Sequence, residues 1–592
     1  MPLSPPMLLL LSLIGCDDAA WCTRFNFACS PPADPAHPEV VDVDGDVWSP
    51  PWDCDDNDAT VYPTAPDLCD GVDNNCDGVV DEGTPGLQTW YQDQDTDGYG
   101  VGSNTIISCD APPGYTLESG DCNDVDRRVN PGSVEVCGNH VDDNCDGEAV
   151  GCGLDRTFDL SDAWARIDQD APGDAFGSAI AARTDQAGLL HQDLVVGDPG
   201  RAGAGAVWLL TGTSLAASTG ERLVSTGYEH IFTPQVGAEL GAAVAALPPD
   251  ASSPFPAVVA GAPSYSGVAE GEGVVVVLQR SLVSVPTLDL VDARLTGAAP
   301  GMELGRALLG LDDVDGDGLA DLLVGAPGDQ GGGGSVALFL GPLSGDKELG
   351  DADTRLLGRS GQGTLGTVLA GGDLDGDGLS DLVLPSPTEG AGQVRLLFGP
   401  TSPGELDLSE VQERISGEVE GDALGTAALV APDIDGDGVP DLVLGAPGAN
   451  GSAGAVYLMV GRSRVNARAG LVQATDALAR LDGVEAGDRA GSSLTAGRFA
   501  SAGTQCLAVG LPGVLDSLGL QEAGAVAIIA SDQAGIVSLS EVQGRLSGTS
   551  GSGVGTVLST LEDFDGNGLD ELIVGAPDLA VSQVWIFTPR TL

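Results

Sequence analysis

The sequence predicts an all-β protein: a seven-bladed β-propeller preceded by a small, disulfide-rich, calcium-binding region of irregular structure. A segment of about 60 residues recurs seven times between residues 155 and 592, and this length has room for the four short strands of one propeller blade. Four of the copies contain a nine-residue acidic loop directly before an apolar run. In the N-terminal part, 11 of the 12 cysteines lie before residue 153, in a segment too poor in apolar side chains to fold without cross-links.

The seven copies share an apolar residue followed by a glycine, which we use as the anchor of each copy: Phe176-Gly177, Leu240-Gly241, Leu304-Gly305, Leu365-Gly366, Leu424-Gly425, Ala490-Gly491 and Val554-Gly555. After the anchor comes an apolar strand that ends in a turn of the Gly-Ala-Pro type, for example Gly325–Pro327. A second strand follows, such as Ser335–Gly341, and then a short Arg-Leu-x-Gly element. We assign these four elements, in order, to strands A, B, C and D of one blade.

The order of the elements also predicts how the ring closes. An Arg166-Ile167 element precedes the first anchor, whereas the last copy ends with its strand C, Gln583–Phe587, and has no Arg-Leu-x-Gly element after it. We therefore expect the segment Trp164–Asp168 to supply the outer strand of blade seven and to seal the ring.

The acidic loops have the composition of a calcium site. In the third copy, aspartates occupy positions 1, 3, 5 and 9 of the loop from Asp313 to Asp321. Gly318 supplies a backbone conformation that few other residues tolerate, and position 7 offers a backbone carbonyl. Oxygen ligands alone favour Ca²⁺ over Zn²⁺ or copper. The predicted ligands of the four loops are Asp313, Asp315, Asp317, Leu319 and Asp321; Asp373, Asp375, Asp377, Leu379 and Asp381; Asp433, Asp435, Asp437, Val439 and Asp441; and Asp563, Asp565, Asn567, Leu569 and Glu571.

Two other interpretations of these loops are an EF-hand and an acidic turn without an ion. An EF-hand needs flanking helices and a glutamate at position 12, but the flanks have strand patterns and position 12 is Val324, Leu384, Leu444 or Val574. Four loops in register favour a calcium site over a plain turn. Because they share one place between strands A and B, we expect them on one face of the propeller.

Copies one, two and six lack the acidic loop. The first retains only Asp185 and Asp193 from it, and the second and sixth read ALPPDASSPFPAVV and GRFASAGTQCLAVG. We interpret Cys506, in the sixth copy, as a buried apolar filler rather than a reactive thiol.

Residues 42–154 contain two related units. The first reads DVDGD (42–46), DCDDNDATVYP (53–63) and CDGVDNNCDGVVDEG (69–83); the second reads DQDTDGYG (93–100), DCNDVDRRVNPG (121–132) and CGNHVDDNCDG (137–147). In the second unit, Val150 replaces the counterpart of Asp81, so we expect that loop to be defective. The metal ligands predicted here are Asp73, Asn75, Asp77 and Asp81, in a complete nine-residue loop, and Asp93, Asp95 and Asp97, which give half of another site.

These motifs resemble two known families. Residues 42–152 resemble the MopE-type metal-binding motif of bacterial surface proteins and, more loosely, thrombospondin type-3 calcium repeats. Residues 155–592 resemble the FG-GAP repeats of the integrin α-subunit head, which implies a seven-bladed propeller. MopE is associated with copper, but the four histidines of this chain do not cluster in sequence. We therefore predict Ca²⁺ as the cofactor, with copper in the N-terminal region left open.

The N-terminal cysteines are predicted to form disulfides, with zinc sites as the alternative that aspartate neighbours and irregular spacing disfavour. If Cys16 is lipidated and Cys506 lies apart in its blade, ten cysteines remain for five bridges. Among the connectivities that the sequence leaves open, we expect Cys109–Cys122 and Cys137–Cys145.

The N-terminus indicates export. Met7–Ile14 is a short apolar run before Gly15-Cys16, and the sequence Leu-Ile-Gly-Cys resembles a bacterial lipobox. We expect residues 1–16 to be a lipoprotein-type signal with lipidation at Cys16, and residues 17–41 to be a flexible linker. Because no basic residue precedes the apolar run, plain secretion and an accidental apolar start are the alternatives.

The composition excludes one class of function and the motifs favour another. A net charge of −64, from 88 acidic and 24 basic residues, repels nucleic acid. The chain contains no GxSxG, HExxH or P-loop motif. We expect a non-catalytic, calcium-binding adhesion module at a bacterial cell surface, with an extracellular protein or glycan as ligand and the lipid anchor as its only membrane contact. A secreted enzyme acting on polysaccharide and a structural envelope or matrix component are the alternatives.

Overall fold

The computed structural model describes residues 42–81, 86–133, 145, 157–169, 175–183, 192–216, 220–223, 229–232, 235–249, 256–279, 291–359, 364–411, 413–433, 438–461, 471–501, 504–516, 519, 521–530, 535–540, 542, 544–564, 568–577 and 582–588. The described residues up to 145 form one compact unit, and those from 157 onward form a second. The signal, the linker and Cys16 lie outside the described residues.

The N-terminal unit is mostly loop, with one small sheet. Its strands are β1 (Gln88–Gln92), β2 (Tyr99–Ser108), β3 (Tyr115–Thr116) and β4 (Glu118–Ser119), in the order β3-β1-β2-β4. The buried apolar residues of this unit are few, Val61, Ala65 and Val129 among them. Cross-links and polar contacts therefore carry much of its fold.

Three disulfides cross-link the described part of this unit: Cys54–Cys76, Cys69–Cys109 and Cys122–Cys145. The expected pairs Cys109–Cys122 and Cys137–Cys145 are wrong. The internal repeat explains the observed pairing, because Cys54–Cys76 and Cys122–Cys145 are equivalent bridges with sequence separations of 22 and 23. Each joins the cysteine of an Asp-Cys sequence to the cysteine of a Cys-Asp-Gly sequence in its own repeat.

The second unit is built almost entirely of short strands. In chain order they are β5 (Thr157–Asp159), β6 (Ala165–Asp168), β7 (Ile180–Arg183), β8 (Asp193–Asp198), β9 (Ala206–Leu210), β10 (Gly220–Leu223), β11 (Glu229–Phe232), β12 (Ala243–Leu247), β13 (Ala257–Ala262), β14 (Val274–Leu278), β15 (Ala293–Thr296), β16 (Leu308–Leu311), β17 (Asp321–Ala326), β18 (Ser335–Phe339), β19 (Gly345–Glu348), β20 (Thr354–Leu357), β21 (Ala370–Gly372) and β22 (Asp381–Ser386). They continue as β23 (Gln393–Leu397), β24 (Gly404–Asp407), β25 (Arg414–Ser416), β26 (Ala427–Ala431), β27 (Asp441–Ala446), β28 (Ala455–Met459), β29 (Leu471–Gln473), β30 (Ala479–Asp482), β31 (Leu494–Ser501), β32 (Thr504–Leu511), β33 (Ala525–Ala530), β34 (Gly535–Ser538), β35 (Gly544–Ser547), β36 (Val557–Leu561), β37 (Glu571–Ala576) and β38 (Gln583–Phe587).

In the described ranges, helical structure is limited to single turns between strands. Short α-helical turns span Gly212–Ala216, Asp329–Gly332 and Ala449–Ser452, and 3-10 turns span Leu160–Asp162, Arg201–Gly203, Leu349–Asp351, Leu408–Glu410 and Ala474–Asp476. Within the part of the chain that the structure describes, no helix has the length and apolar character needed to cross a bilayer.

The strands form seven sheets, which confirms the predicted number of blades. Their orders are β7-β8-β9-β11, β12-β13-β14-β15-β19, β16-β17-β18-β20-β24, β21-β22-β23-β25-β29, β26-β27-β28-β30-β34, β31-β32-β33-β35-β5 and β36-β37-β38-β6-β10. The innermost strand of each sheet packs against that of the next, and β36 of the seventh packs against β7 of the first. The sheets therefore form a closed ring, which is a seven-bladed β-propeller.

Among the described residues, six of the sheets have a fifth strand that the four-strand assignment did not include. Strand β19, for example, pairs in parallel with β15, so that Ala293 lies opposite Gly345. This strand comes from the connection between strands C and D of the following blade. Its sequence, Gly-Asp-Lys-Glu, is largely exposed and has no apolar pattern, so nothing in it indicated a strand.

The ring closes at the segment that the sequence predicted. Strand β6 pairs antiparallel with β38, with Ile167 opposite Val584, and so forms strand D of blade seven. Strand β5 adds a second closure, since it pairs in parallel with β35 of blade six, with Phe158 opposite Leu546. Both Phe158 and Ile167 are fully buried.

The anchor glycines mark the places where neighbouring blades touch. A Cβ atom at Gly325, near the end of strand B of blade three, would lie 2.1 Å from the carbonyl oxygen of Gly366, the anchor of blade four. The same pairing joins Gly575 of blade seven to Gly177 of blade one, at 2.4 Å. The recurrence of both glycines therefore follows from the close approach of backbones around the ring.

Candidate metal centres

The acidic loop of blade three lies between strands A and B and is ordered by its own backbone. Asp313 accepts hydrogen bonds from the amides of Gly316 and Gly318 at 2.6 and 2.8 Å. Gly316 and Gly318 both have φ values in the left-handed region, +90° and +79°, which allows this tight course. The loop of blade four repeats the pattern, with Asp373 accepting from Gly376 and Gly378.

In both loops three carboxylates converge. Oxygen atoms of Asp313, Asp315 and Asp321 all lie within 4.8 Å of one another, and those of Asp373, Asp375 and Asp381 do the same. Asp317 and Asp377 lie outside these triads and accept hydrogen bonds from the amides at position 7, Leu319 and Leu379, at 2.8 and 2.9 Å. Each triad forms the oxygen-rich pocket that a hard dication requires.

The carboxylate at position 9 is the most buried member of each loop. Asp321 is fully buried and accepts from the amide of Val314 at 2.8 Å and from that of Gly341 at 2.9 Å. Burial raises the pKa of Asp321 to about 6 and that of Asp381 to about 7, against the lowering effect of these amide hydrogen bonds. A cation in the pocket would hold both groups ionised.

Blades five and seven retain the same framework. The side chain of Asp433 accepts from the amide of Gly438 at 2.7 Å, and that of Asp563 accepts from Gly568 at 2.8 Å. At position 9, Asp441 accepts from the amide of Gly461 and Glu571 from that of Phe564. The predicted ligands Asp435, Asp437, Asp565 and Asn567 lie outside the described residues. Val439 and Leu569 stay predictions as carbonyl ligands.

In blade one, which lacks the acidic loop, an arginine lies beside the carboxylate at position 9. Asp193 occupies position 9, and its Oδ1 accepts from the amide of Gly212 at 2.9 Å. Its Oδ2 lies 2.6 Å from a guanidinium nitrogen of Arg183, and both side chains are almost fully buried. Arg183 thus supplies the positive charge at this place. Asp185 lies outside the described residues.

Blades two and six have no charge to balance at position 9. Position 9 is Ala257 in blade two, where it pairs with Leu247 of strand A, and Cys506 in blade six, where it pairs with Gly497. Cys506 is fully buried, as its interpretation as a core side chain predicts. The sequence analysis missed the role of Arg183, although an arginine directly before the lost loop was the available signal.

The predicted loop 73–81 is arranged differently. Asp73 accepts from the amide of Gly78 at 2.8 Å, as a loop of this type would. Asp81, however, accepts from the amide of Gly71 at 3.0 Å, and Asn75 donates to Asp67 at 2.7 Å. Among the described residues, Asp73, Asp77 and Asp81 do not form one of the converging carboxylate groups.

Two other groups of the N-terminal unit do converge. Oxygen atoms of Asp93, Asp95 and Asp97 lie within 4.8 Å of one another, and those of Asp42, Asp44 and Asp46 do so as well. The second group was missed as a site, although its alternating sequence DVDGD carried the signal. The structure thus brings together the half-site 93–97 and adds a counterpart at 42–46.

The closed ring and its loops define the class: a seven-bladed β-propeller with acidic loops between strands A and B. The FG-GAP repeat family matches residues 304–339, 365–397 and 424–459. The Cu-binding_MopE family, described as "Putative metal-binding motif", matches residues 53–82 and 121–149. The chain therefore carries FG-GAP repeats in its propeller and MopE-type motifs in its N-terminal unit.

Integrin α-subunits are similar to part of the propeller. Human integrin alpha-IIb is 37% identical over 169 residues, which is 26% of this chain and 16% of that protein. Human integrin alpha-7 is 34% identical over 195 residues, 32% of this chain and 15% of that protein. Integrin alpha-PS5 of Drosophila melanogaster is 32% identical over 156 residues, 25% of this chain and 15% of that protein. The matched region is thus a small part of the length of these relatives.

Proposed function

We propose that this chain is a calcium-binding, non-catalytic adhesion protein that acts outside the cell, with an extracellular protein or glycan as its ligand. The observation that carries the proposal is the ring of seven blades, of which three match the FG-GAP repeat and four have an acidic loop between strands A and B. The similarity to integrin α-subunits supports an adhesion-type role. A protein ligand and a glycan ligand are the two outcomes that the binding test distinguishes.

The Ca²⁺ ions would be structural. In blades three and four, three carboxylates converge and one of them is fully buried, an arrangement in which the like charges repel unless a dication lies among them. A hard cation with oxygen ligands satisfies this demand. The ions would therefore fix the A–B loops and leave the faces of the propeller to bind the ligand.

Calcium removal tests the structural role. We expect a chelator to lower the melting temperature of the full chain by several degrees, and added Ca²⁺ to restore it, because binding to the folded state alone stabilises it. The variant Asp381→Asn should lose part of this calcium-dependent shift. Asp346→Asn, which removes an equal charge from the exposed start of β19, is the matched control. A melting temperature that chelator leaves unchanged would refute the structural role.

Capture of partners from the native cell envelope, with and without Ca²⁺, tests the binding role. We expect a ligand that is retained by the intact chain and lost after chelation. Turnover of a polysaccharide by the purified chain would contradict the non-catalytic assignment. Retention of no protein and no glycan would contradict the adhesion assignment.

The lipid anchor at Cys16 is part of the proposal on location. We expect the intact chain to fractionate with membranes and to incorporate a labelled fatty acid, and Cys16→Ser to do neither. Release of the unchanged chain into the medium would instead indicate plain secretion.

A further inference from the structure

The two repeats of the N-terminal unit hold equivalent acidic loops. In the loop 42–46, Asp42 accepts hydrogen bonds from the amides of Gly45 and Val47 at 2.6 and 3.1 Å. In the loop 93–97, Asp93 accepts from the amides of Thr96 and Gly98 at 2.7 and 3.2 Å. The donors occupy the same places in the two repeats, three and five residues after the first aspartate.

A fourth aspartate approaches each loop from the segment that contains the repeat disulfide. Asp53 directly precedes Cys54, and Asp121 directly precedes Cys122. Three residues further on, Asp56 and Asp124 tie these segments to the loops, since they accept from the amides of Val43 and Gln94 at 3.2 and 2.7 Å. The two repeats thus place the same Asp-Cys segment against the same loop.

The fourth aspartates are buried and each has an oxygen without a partner. Asp53 is 5% exposed and Asp121 is 4% exposed. One oxygen of each accepts from a nearby amide, of Asp55 or Asn123, at 2.9 and 2.7 Å. The Oδ2 atom of each is buried and has no hydrogen-bond partner. A buried carboxylate oxygen in this state is unfavourable unless it binds a cation.

The loop aspartates also have buried oxygens that lack a hydrogen-bond partner. These are Oδ2 of Asp44, Oδ2 of Asp46 and both side-chain oxygens of Asp95. The hydrogen bonds from Val43 to Asp56 and from Gln94 to Asp124 hold each Asp-Cys segment, and with it the buried fourth aspartate, beside its loop.

We infer that the N-terminal unit contains two equivalent Ca²⁺ sites, one formed by Asp42, Asp44, Asp46 and Asp53 and the other by Asp93, Asp95, Asp97 and Asp121. Each ion would cross-link an acidic loop to an Asp-Cys segment, which a disulfide in turn ties to Cys76 or Cys145. This inference goes beyond the proposed function and does not rest on it.

The ligand atoms of these two sites favour Ca²⁺ over copper. All four side chains of each site offer carboxylate oxygen, the set that Ca²⁺ prefers, whereas copper favours imidazole or thiolate ligands. The cysteines next to the fourth aspartates are held in disulfides. The described arginine beside the second site, Arg127, donates to the carbonyl oxygen of Thr96 at 3.4 Å and not to a carboxylate of the site.

Counting bound Ca²⁺ tests the inference on the full chain. We expect Asp53→Asn and Asp121→Asn each to remove one Ca²⁺ per chain in equilibrium dialysis, and the double variant to remove two, while the chelator-sensitive melting of the propeller is retained. Asp55→Asn and Asp110→Asn, which remove exposed charges from the same repeats, are the matched controls. A double variant that binds as much Ca²⁺ as the parent chain would overturn the proposal.

A second measurement covers the case in which these variants do not fold. The amide of Trp48 donates to Asp46 at 2.8 Å, so Trp48 is close enough to sensitise Tb³⁺ bound in the first site. We expect Trp48→Phe to lose part of the Tb³⁺ emission of the folded chain, and Ca²⁺ to displace the ion responsible. Emission unchanged in Trp48→Phe, or displacement by Cu²⁺ but not by Ca²⁺, would overturn the assignment.

Discussion

The side chain at position 9 of each blade determines whether the connection between strands A and B needs a positive charge. Where it is a buried carboxylate, a positive charge must lie beside it, since a buried charge without a partner is strongly unfavourable. Arg183 supplies that charge in blade one, and an ion would supply it in blades three and four. Ala257 and Cys506 remove the requirement altogether in blades two and six.

Replacement of Arg183 should therefore destabilise the propeller severely. In Arg183→Met the carboxylate of Asp193 would be left buried without its partner, and loss of one member of a buried pair costs about 3–5 kcal/mol. The double variant Arg183→Met/Asp193→Leu should recover most of this loss, because no buried charge remains. Calorimetric melting of the full chain would measure both effects.

The exposed pair Arg128–Asp126 is the matched control for this prediction. Its arginine side chain is 85% exposed, so Arg128→Met should change stability by less than about 1 kcal/mol. An Arg183→Met variant as stable as Arg128→Met would show that the buried pair is not what stabilises blade one.

The predicted ligands that converge in the propeller have partners close in sequence. The triads 313–321 and 373–381 each lie within nine residues, although the loop 73–81 has the same spacing and does not converge. Asp121 lies 28 residues after Asp93, and only the folded repeat brings the two together. The disulfides were mispredicted for the same reason: Cys54–Cys76 and Cys122–Cys145 are equivalent in the two repeats, and Cys69–Cys109 joins residues 40 apart.

At the scale of strands, contacts between blades depend on backbone approach as much as on side chains. The six residues of β17 are all buried, and one of them, Gly325, lies against Gly366 of the next blade. The recurring glycines therefore belong to the interface between blades. In the sequence, these glycines are visible only as residues that recur beside the apolar runs.

A methyl group at this interface should be costly. In Gly325→Ala the new Cβ would lie 2.1 Å from the Gly366 carbonyl oxygen, so the backbone of one blade must shift, at a cost of about 1–3 kcal/mol or more. Gly350→Ala, whose Cβ would meet nothing within 4 Å, is the control and should be neutral. Equal melting temperatures for the two variants would contradict the tight packing described here.

Strands B and C of each blade were predictable from apolar runs, but the fifth strand was not. Strand A was assigned to the anchor, whereas in blade three it spans Leu308–Leu311, after the anchor Leu304-Gly305. Strands B and C are buried on both faces, and their apolar sequences indicate this directly. Strand β19 is polar and exposed, and it pairs with the preceding blade, β15. Its position therefore follows from the geometry of the ring and not from any pattern within the strand.

At the scale of the whole molecule, the ring is closed by strands from the two ends of the repeat array. The segment before blade one supplies β6 to blade seven and β5 to blade six. Two sheets therefore depend on one short stretch of sequence, and unpaired edges would be exposed in both if it were missing. This double closure couples the ends of a repeat array whose units otherwise contact only their neighbours.

Truncation at two points would separate the two closures. Deletion of residues 155–162 removes β5 and the buried Phe158, so blade six would lose its fifth strand while β6 still seals blade seven. Deletion of residues 155–170 removes β6 as well, together with Ile167 and its pairing to β38. We expect a moderate fall in melting temperature from the shorter deletion and a collapse of cooperative unfolding from the longer one, because the second opens the ring. Calorimetry of both proteins beside the full chain measures this gradation. A longer deletion that melts like the full chain would mean that the ring does not depend on this closure.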